Sequence, residues 1–203
     1  MAKWLKWVNE LRAIAQNGIE YTKDPYDKER FNQLMDISAE IISSYTNLNF
    51  NVVKNIIINE KGYATPKVGV RGAVFKDQKI LLVRQSDDKN WSLPGGWADI
   101  NELPSYSVIK EIEEESGYLT KVTKLVALQD RNQHLEESLY HEYICFFLCD
   151  LISGRKKLSV ETIDVDFFSL DNLPPLSKKR INAKQINLMF EHYKNPKLPT
   201  CFD

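Results

Sequence analysis

The sequence predicts an α+β fold: an α/β/α-layered domain preceded by a small α-helical N-terminal domain. Three observations predict it. Apolar residues recur every three or four positions through the first sixty residues, a helical period. From Val68 onward the apolar runs shorten to strand length, with turn residues between them. One helix sits among those strands, opened by Pro104 and stopped by Gly117, and another follows them. With 203 residues, 43% of them hydrophobic, the chain can bury the core of one ordinary domain plus a small module. The change of period places the division between residues 1–64 and 65–203.

In order along the chain, Trp4, Val8, Leu11 and Ile14/Ala15 form one apolar face of a first helix, and Asn17-Gly18 predicts its break. Asp24-Pro25 reads as an N-cap followed by proline at the first helical position. Phe31, Leu34/Met35, Ser38, Ile41/Ile42 and Tyr45 carry the second helix. Two such helices cannot cover both their faces alone; they must pack on each other, on the next domain or on a second copy of the chain. Residues 55–62 read equally as a short helix or an extended connector. Pro66 biases Thr65 away from helix. Residues 68–76 and 79–85 are predicted as a hairpin turning near Asp77-Gln78, and residues 87–101 as turn-rich. The central helix covers 104–116. Strands follow at 120–130, 139–151 and 162–168, and a last helix at 179–193 after the Pro174-Pro175 break.

Composition excludes several classes. A net charge of −1 gives no global basic field for nucleic acid or anionic lipid, although a local basic groove is compatible with it. No basic recognition helix occurs in residues 1–60, which argues against a DNA partner. Three cysteines, Cys145, Cys149 and Cys201, are too few and too odd for a disulfide framework. Cys145 and Cys149 have no second pair of ligands at zinc spacing and read as small buried residues. No run of about 18 apolar residues predicts a membrane span, and no signal-peptide core opens the chain. A reduced, cytoplasmic setting is expected. His134, His141 and His192 carry little signal.

The chemistry concentrates in residues 95–118. Glu111, Glu114 and Glu115 stand at i, i+3 and i+4, so a helix projects all three from one side. Three carboxylates there repel one another unless a cation offsets the charge. A hard divalent ion with oxygen ligands does so, and Mg²⁺ is the usual one when phosphate completes its shell. Gly95-Gly96 would let a backbone carbonyl reach the same ion. A bare E-x-x-E-E is more often a solvated helix face. The fixed spacing to the glycines and to Glu102 weighs against that reading.

This stretch resembles the Nudix box, G-x5-E-x7-R-E-U-x-E-E-x-G-U with U a bulky aliphatic residue. Gly96, Glu102, Glu111, Ile112, Glu114, Glu115 and Gly117 fall in register; Lys110 replaces the arginine and Tyr118 the last aliphatic. Lysine keeps the charge but loses the planar fork. Residues 63–68, 91–97 and 167–174 extend the resemblance over nearly the whole chain. They point to the subgroup of hydrolases of nucleoside diphosphates linked to X that carry a helical N-terminal domain, closest to the CDP-choline pyrophosphatase type, with ADP-ribose pyrophosphatases of the same build.

The resemblance implies an α/β/α sandwich with a mixed sheet and a defined division of labour. Glu111, Glu114 and Glu115, with the carbonyl of Gly95 or Gly96, would hold Mg²⁺, with Mn²⁺ as a substitute. Glu111 would act as base, helped by a glutamate outside the box: Glu161 first, Glu136, Glu137 and Glu142 behind it. Arg71 and Arg84 read equally as phosphate ligands and as partners of surface acids. Trp91 and Trp97 flank the glycines and are expected to line the substrate. Among further aromatics that could cage choline, Trp4 and Tyr45 already fit helix core stripes. The expected substrate is a small nucleoside diphosphate derivative, CDP-choline before ADP-ribose or a nucleotide sugar. The expected assembly is a homodimer built by the N-terminal helices. A non-catalytic nucleotide sensor and a hydrolase of RNA ends are the competing readings, the first opposed by the intact carboxylates and the second by the near-neutral charge.

Overall fold

In a computed structural model, residues 2–136 and 138–203 are described; Glu137, one of the secondary base candidates, lies outside the described residues. They fall into two compact units, residues 2–66 with 138–141, and residues 67–136 with 142–203.

The first unit holds three helices, α1 (Lys3–Tyr21), α2 (Pro25–Tyr45) and α3 (Phe50–Ile58). Asp24 caps α2 as the sequence predicts: its Oδ1 accepts the N–H groups of Tyr26 at 2.7 Å and Asp27 at 3.2 Å, and Pro25 opens the helix. Val8, Ala15, Met35, Ala39, Ile42, Val53 and Ile57 form its core. Two expectations change. Helix α1 runs through Gly18 rather than breaking there. Its buried face is also rotated: Ile14 is 58% exposed, while Arg12 and Gln16 are buried in line with Leu5 and Val8. Each reaches a backbone carbonyl, and Arg12 Nη2 also pairs with Glu60 at 3.4 Å. Arg12 Nη1 donates to the Leu139 carbonyl at 2.9 Å, and Gln16 Nε2 donates to that of Gly62 at 3.0 Å. Residues 55–62 resolve into the end of α3 followed by a turn.

The second unit is an α/β/α sandwich. Its strands are β1 (Lys67–Lys76), β2 (Lys79–Gln85), β3 (Trp91–Ser92), β4 (Tyr118–Asp130), β5 (Glu142–Gly154), β6 (Thr162–Phe168) and β7 (Cys201–Phe202). The sheet is mixed, ordered β3-β2-β1-β5-β4-β7 with β6 on β2; β1 runs parallel to β5, whereas β1–β2 and β4–β5 are antiparallel. Asp77 and Gln78 turn the first hairpin with φ of 50° and 60°, the double positive-φ geometry that two-residue hairpins favour. Alternation divides the sheet into two cores. Val70, Val74, Leu81, Val83, Phe147 and Val165 face α4 (Pro104–Ser116) through Val108 and Ile112. Ala73, Ile80, Leu82, Ile144 and Phe146 face α6 (Ala183–Lys194) through Ile186, Met189 and Phe190. A single turn, α5 (Arg131–His134), follows β4. Strand β5 starts three residues later than predicted because residues 138–141 pack in the first unit. No helix among the described residues is long and apolar enough to cross a membrane.

Candidate active site

The loop of residues 93–98 is stitched to β1 by three backbone hydrogen bonds: Gly72 N–H to the Pro94 carbonyl at 2.9 Å, Val70 N–H to that of Gly96 at 2.8 Å, and Ala98 N–H to that of Val68 at 2.9 Å. Gly95 has φ +144°, and a Cβ there would lie 2.1 Å from the Val70 carbonyl oxygen, so only glycine fits. On the far side the loop meets α4, which Gly117 ends in the left-handed region at φ +77°.

Helix α4 brings its carboxylates onto this loop. Glu115 is 4% exposed. Its Oε2 accepts the Gly95 N–H at 2.9 Å, its Oε1 lies 3.5 Å from Gln85 Nε2, and its own carbonyl accepts the Thr162 hydroxyl at 2.8 Å. Burial raises its pKa against the opposing pull of Arg71 and the Gly95 N–H. Glu111 is half-buried, and its carboxylate fills the space above Gly96, where a Cβ would sit 2.5 Å from Oε1. Its pKa is pushed up to about 7, by burial first and then by the charge of Glu115, with Glu114 and Glu161 adding to it and Arg71 opposing. Glu114 is exposed one turn along the same face. Glu161 is exposed on the loop before β6, held by its carbonyl accepting the Ser86 N–H at 2.8 Å, and Glu111 and Glu115 both feel its charge. Glu111, Glu114, Glu115 and Glu161 thus share one electrostatic environment beside Gly95 and Gly96.

Among the described residues, no three His, Cys, Asp or Glu side chains already stand at metal-ligand spacing. The donors nevertheless fit a hard divalent ion. They are all oxygen, burial and then the neighbouring like charges hold the Glu111 pKa well above the usual carboxylate range, and the glycine notch admits a carboxylate that a side chain would exclude. Of the two backbone carbonyls, that of Gly96 accepts from Val70 and that of Gly95 from Arg71 Nη1.

Arg71 is half-buried and feels the charges of Glu115, Glu142 and Glu111, and Nη1 also reaches the Leu93 carbonyl at 3.4 Å. Arg84 is turned elsewhere: Nε donates to the Lys89 carbonyl at 2.7 Å, and its cross-strand partner is Asp164. Trp91 is not brought to the carboxylates. It is 8% exposed in the α6-side core, edge-on to Phe168 at 4.7 Å, because its place on β3 points its ring inward. Trp97 is 45% exposed, with the Lys67 ammonium 5.5 Å from its ring centroid. Lys110 pairs with Asp99 at 2.8 Å and Glu102 at 3.2 Å, fastening the loop to the helix, and these partners raise its pKa. Glu136 accepts Arg131 Nη1 on its carbonyl.

Sequence reasoning missed Gln85, Thr162 and Arg131, and it named Glu142 as a base candidate rather than as a partner of arginine. Gln85 and Thr162 hold Glu115; Gln85 is in phase with the buried Leu81 and Val83, and a polar residue ending an apolar face is the signal that could have found it. Glu142 forms a charged group with Arg131 at 3.6 Å and with Arg71, and burial raises its pKa. Nothing in local sequence marks that group.

Residues 2–57 match the family described as UDP-X-like, N-terminal oligomerisation domain, and residues 65–189 match the NUDIX domain. The chain is 43% identical over 202 residues to YjhB of Bacillus subtilis, which carries a provisional ADP-ribose pyrophosphatase name; the match covers 99% of this chain and 97% of that one. A solved ADP-ribose pyrophosphatase from Streptococcus suis is 37% identical with a TM-score of 0.64, covering 68% of this chain and 100% of its own. A solved UDP-X diphosphatase is 33% identical with a TM-score of 0.65, covering 100% and 98%.

Proposed function

The chain belongs to the NUDIX family and is a pyrophosphohydrolase of nucleoside diphosphates linked to a second group; on that premise we propose that its substrate is ADP-ribose and its cofactor Mg²⁺. One observation carries the reading: Glu115 is locked to the Gly95 N–H while Glu111 occupies the notch over Gly96, so two carboxylates of the helix converge on one loop.

Glu111, Glu114 and Glu115 would hold the ion, with the Gly95 carbonyl beside them, and Mn²⁺ has the oxygen preference to replace it. When bound, the cation neutralises diphosphate oxygens and makes a water easier to deprotonate. Glu111 accepts the proton of the attacking water, and the exposed Glu161 shares that work at the solvent side. Water adds to one phosphorus, the bridging oxygen leaves with the other, and ADP-ribose gives AMP and ribose 5-phosphate. Arg71 supplies the positive charge that binds the diphosphate.

The names of YjhB and of the Streptococcus suis structure support ADP-ribose. CDP-choline, giving CMP and phosphocholine, is the second reading. Trp97 favours it, because its exposed ring already carries an ammonium. It ranks lower because Trp91 is committed to the core and cannot complete a cage with Trp97. The deciding experiment is phosphate-coupled hydrolysis of ADP-ribose, CDP-choline and a nucleotide sugar, with Mg²⁺ and with chelator, on the wild type and Glu114→Gln. Metal-dependent release that favours ADP-ribose and falls about a hundredfold in the variant is expected. A tenfold preference for CDP-choline would replace the substrate. No hydrolysis of any of the three would favour the sensor or the RNA-end reading.

The same proposal includes a homodimer through residues 2–57. Its support is the oligomerisation-domain match and a stripe on α1 of Trp7, Ile14 and Tyr21, exposed by 54%, 58% and 68% and spaced seven apart. Sedimentation at micromolar concentration tests it, and a monomer would count against it.

A further inference from the structure

We infer that Arg71 and the divalent cation compete for the same atom, the Gly95 carbonyl oxygen, so that the ion can settle only when the guanidinium releases it, and release makes Arg71 available to the diphosphate. The inference rests on the proposed metal site and concerns how that site is regulated.

Four observations lead to it. Arg71 Nη1 donates to the Gly95 and Leu93 carbonyls, spanning the loop from the β1 side. The approach is imposed by the backbone: a Cβ on Gly95 would lie 2.9 Å from Arg71 Cα, so the strand and the loop are in direct contact there. The charge of Arg71 acts on the carboxylates that would bind the ion, since Glu115 and Glu111 both feel it. Finally, Arg71 also feels the charge of Glu142, which is fixed independently. The Glu142 carboxylate is set against Gly69, where a Cβ would lie 2.2 Å from Oε1, and is paired at 3.6 Å with Arg131. Arg131 is itself fixed by the carbonyls of Glu136 at 2.8 Å and Lys179 at 2.7 Å. Arg71 therefore shares its field with the carboxylates of α4 and with a Glu142 that is anchored independently of them.

A carbonyl oxygen has two lone pairs, so geometry alone would let it serve both cations. Electrostatics opposes that, because a divalent ion and a guanidinium on one oxygen repel at close range in a half-buried site. Once released, the guanidinium keeps the charge of Glu142 in its field and has five donors to offer to phosphate oxygens, which offsets the two carbonyl bonds it gives up.

The test is binding of Mn²⁺ to chelator-treated protein without nucleotide, read from the electron paramagnetic resonance signal of the free ion, for wild type, Arg71→Lys and Arg71→Gln. Lysine keeps the charge, but its ammonium sits one bond closer to the backbone than Nη1, the single nitrogen that holds both the Leu93 and the Gly95 carbonyls. Both variants are expected to bind Mn²⁺ about fivefold more tightly, an ordinary size for coupling between mutually exclusive ligands. Unchanged or weaker binding in Arg71→Lys overturns the competition, as does tightening confined to Arg71→Gln, which charge alone would produce. Should Arg71→Gln fail to fold, Arg71→Lys decides by tightening at constant charge. Should Arg71→Lys fail to fold, Arg71→Gln supports the competition only by tightening that persists at about 0.5 M salt, where a charge effect is screened, and overturns it otherwise. Absence of Mn²⁺ binding in the wild type and in both variants sinks the metal reading and this inference together, whereas wild-type binding that Arg71→Lys leaves unchanged sinks only the inference.

Discussion

Replacing Gly95 and Gly96 by alanine, one at a time, should separate the loop's structural duty from its catalytic one. At Gly95 the added Cβ meets only backbone: the Val70 carbonyl oxygen at 2.1 Å and Arg71 Cα at 2.9 Å, in a chain segment with φ +144°. Neither contact can rotate away. The conformation itself costs about 1–3 kcal/mol for a residue with a side chain. Pushing the loop off β1 also loosens the Val70-to-Gly96 and Gly72-to-Pro94 hydrogen bonds, at about 1 kcal/mol each. Gly95→Ala should therefore lose about 3–5 kcal/mol, a large part of an ordinary domain's stability. At Gly96 the Cβ meets the Glu111 carboxylate, with Oε1 at 2.5 Å, and that is the free end of a flexible side chain. It can swing aside, so Gly96→Ala should cost less than about 1 kcal/mol. What it loses is the seat of Glu111, and turnover should fall about a hundredfold. Urea denaturation of the metal-free proteins and ADP-ribose hydrolysis with Mg²⁺ measure the two effects. Wild-type turnover in Gly96→Ala, or wild-type stability in Gly95→Ala, would refute the reasoning.

Three other outcomes are expected. The Glu111 pKa is raised to about 7, so its protonated form favours the folded state; that stability is full below about pH 4.5 and is lost as pH rises through 7. In chelator the unfolding temperature should decline across that window, worth about 1–2 kcal/mol after discounting for partial exposure, and a decline equally steep in Glu111→Gln would assign it elsewhere. Lys110→Ala frees Asp99 and Glu102, so activity should drop about tenfold with little change in the unfolding midpoint, while Lys110→Arg keeps full activity; a large stability loss in the alanine variant would contradict the loop-fastening role. Glu161→Gln should lower kcat at least about tenfold at unchanged thermal stability, because the residue is exposed; unaltered kcat would remove it from the proton path.

What the sequence disclosed tracks how local the cause is. Helix α4 was legible because proline at its start, glycine at its end and carboxylates at i, i+3 and i+4 are all set within fourteen residues. The hairpin of β1 and β2 was legible from length and turn position. The rotation of α1 was not, since Arg12 and Gln16 turn inward for carbonyls at Leu139 and Gly62, far along the chain. Gly18 reads as a break, yet Phe31 of α2 lies where its side chain would be, with ring carbons 2.5 Å from a built Cβ; a glycine inside a helix can mark close packing as well as an end. Strands of two residues, β3 and β7, carry no period to detect. Trp91 looked like a substrate contact because it flanks the glycines, but strand phase, not sequence distance, decides which way a ring points. The Glu142–Arg131 pair joins the start of β5 to α5, a tertiary event with no local trace.

The parallel pairing of β1 with β5 has a consequence for biosynthesis. Val70, which carries the glycine loop, lies opposite Cys145, and the Glu115 carbonyl is tied to Thr162. A ribosome has therefore made every residue of the acidic helix well before it makes the strand and the hydroxyl that hold the helix in place. A chain cut short before residue 162 would display the whole signature without the strand that seats it, and is expected to hydrolyse nothing.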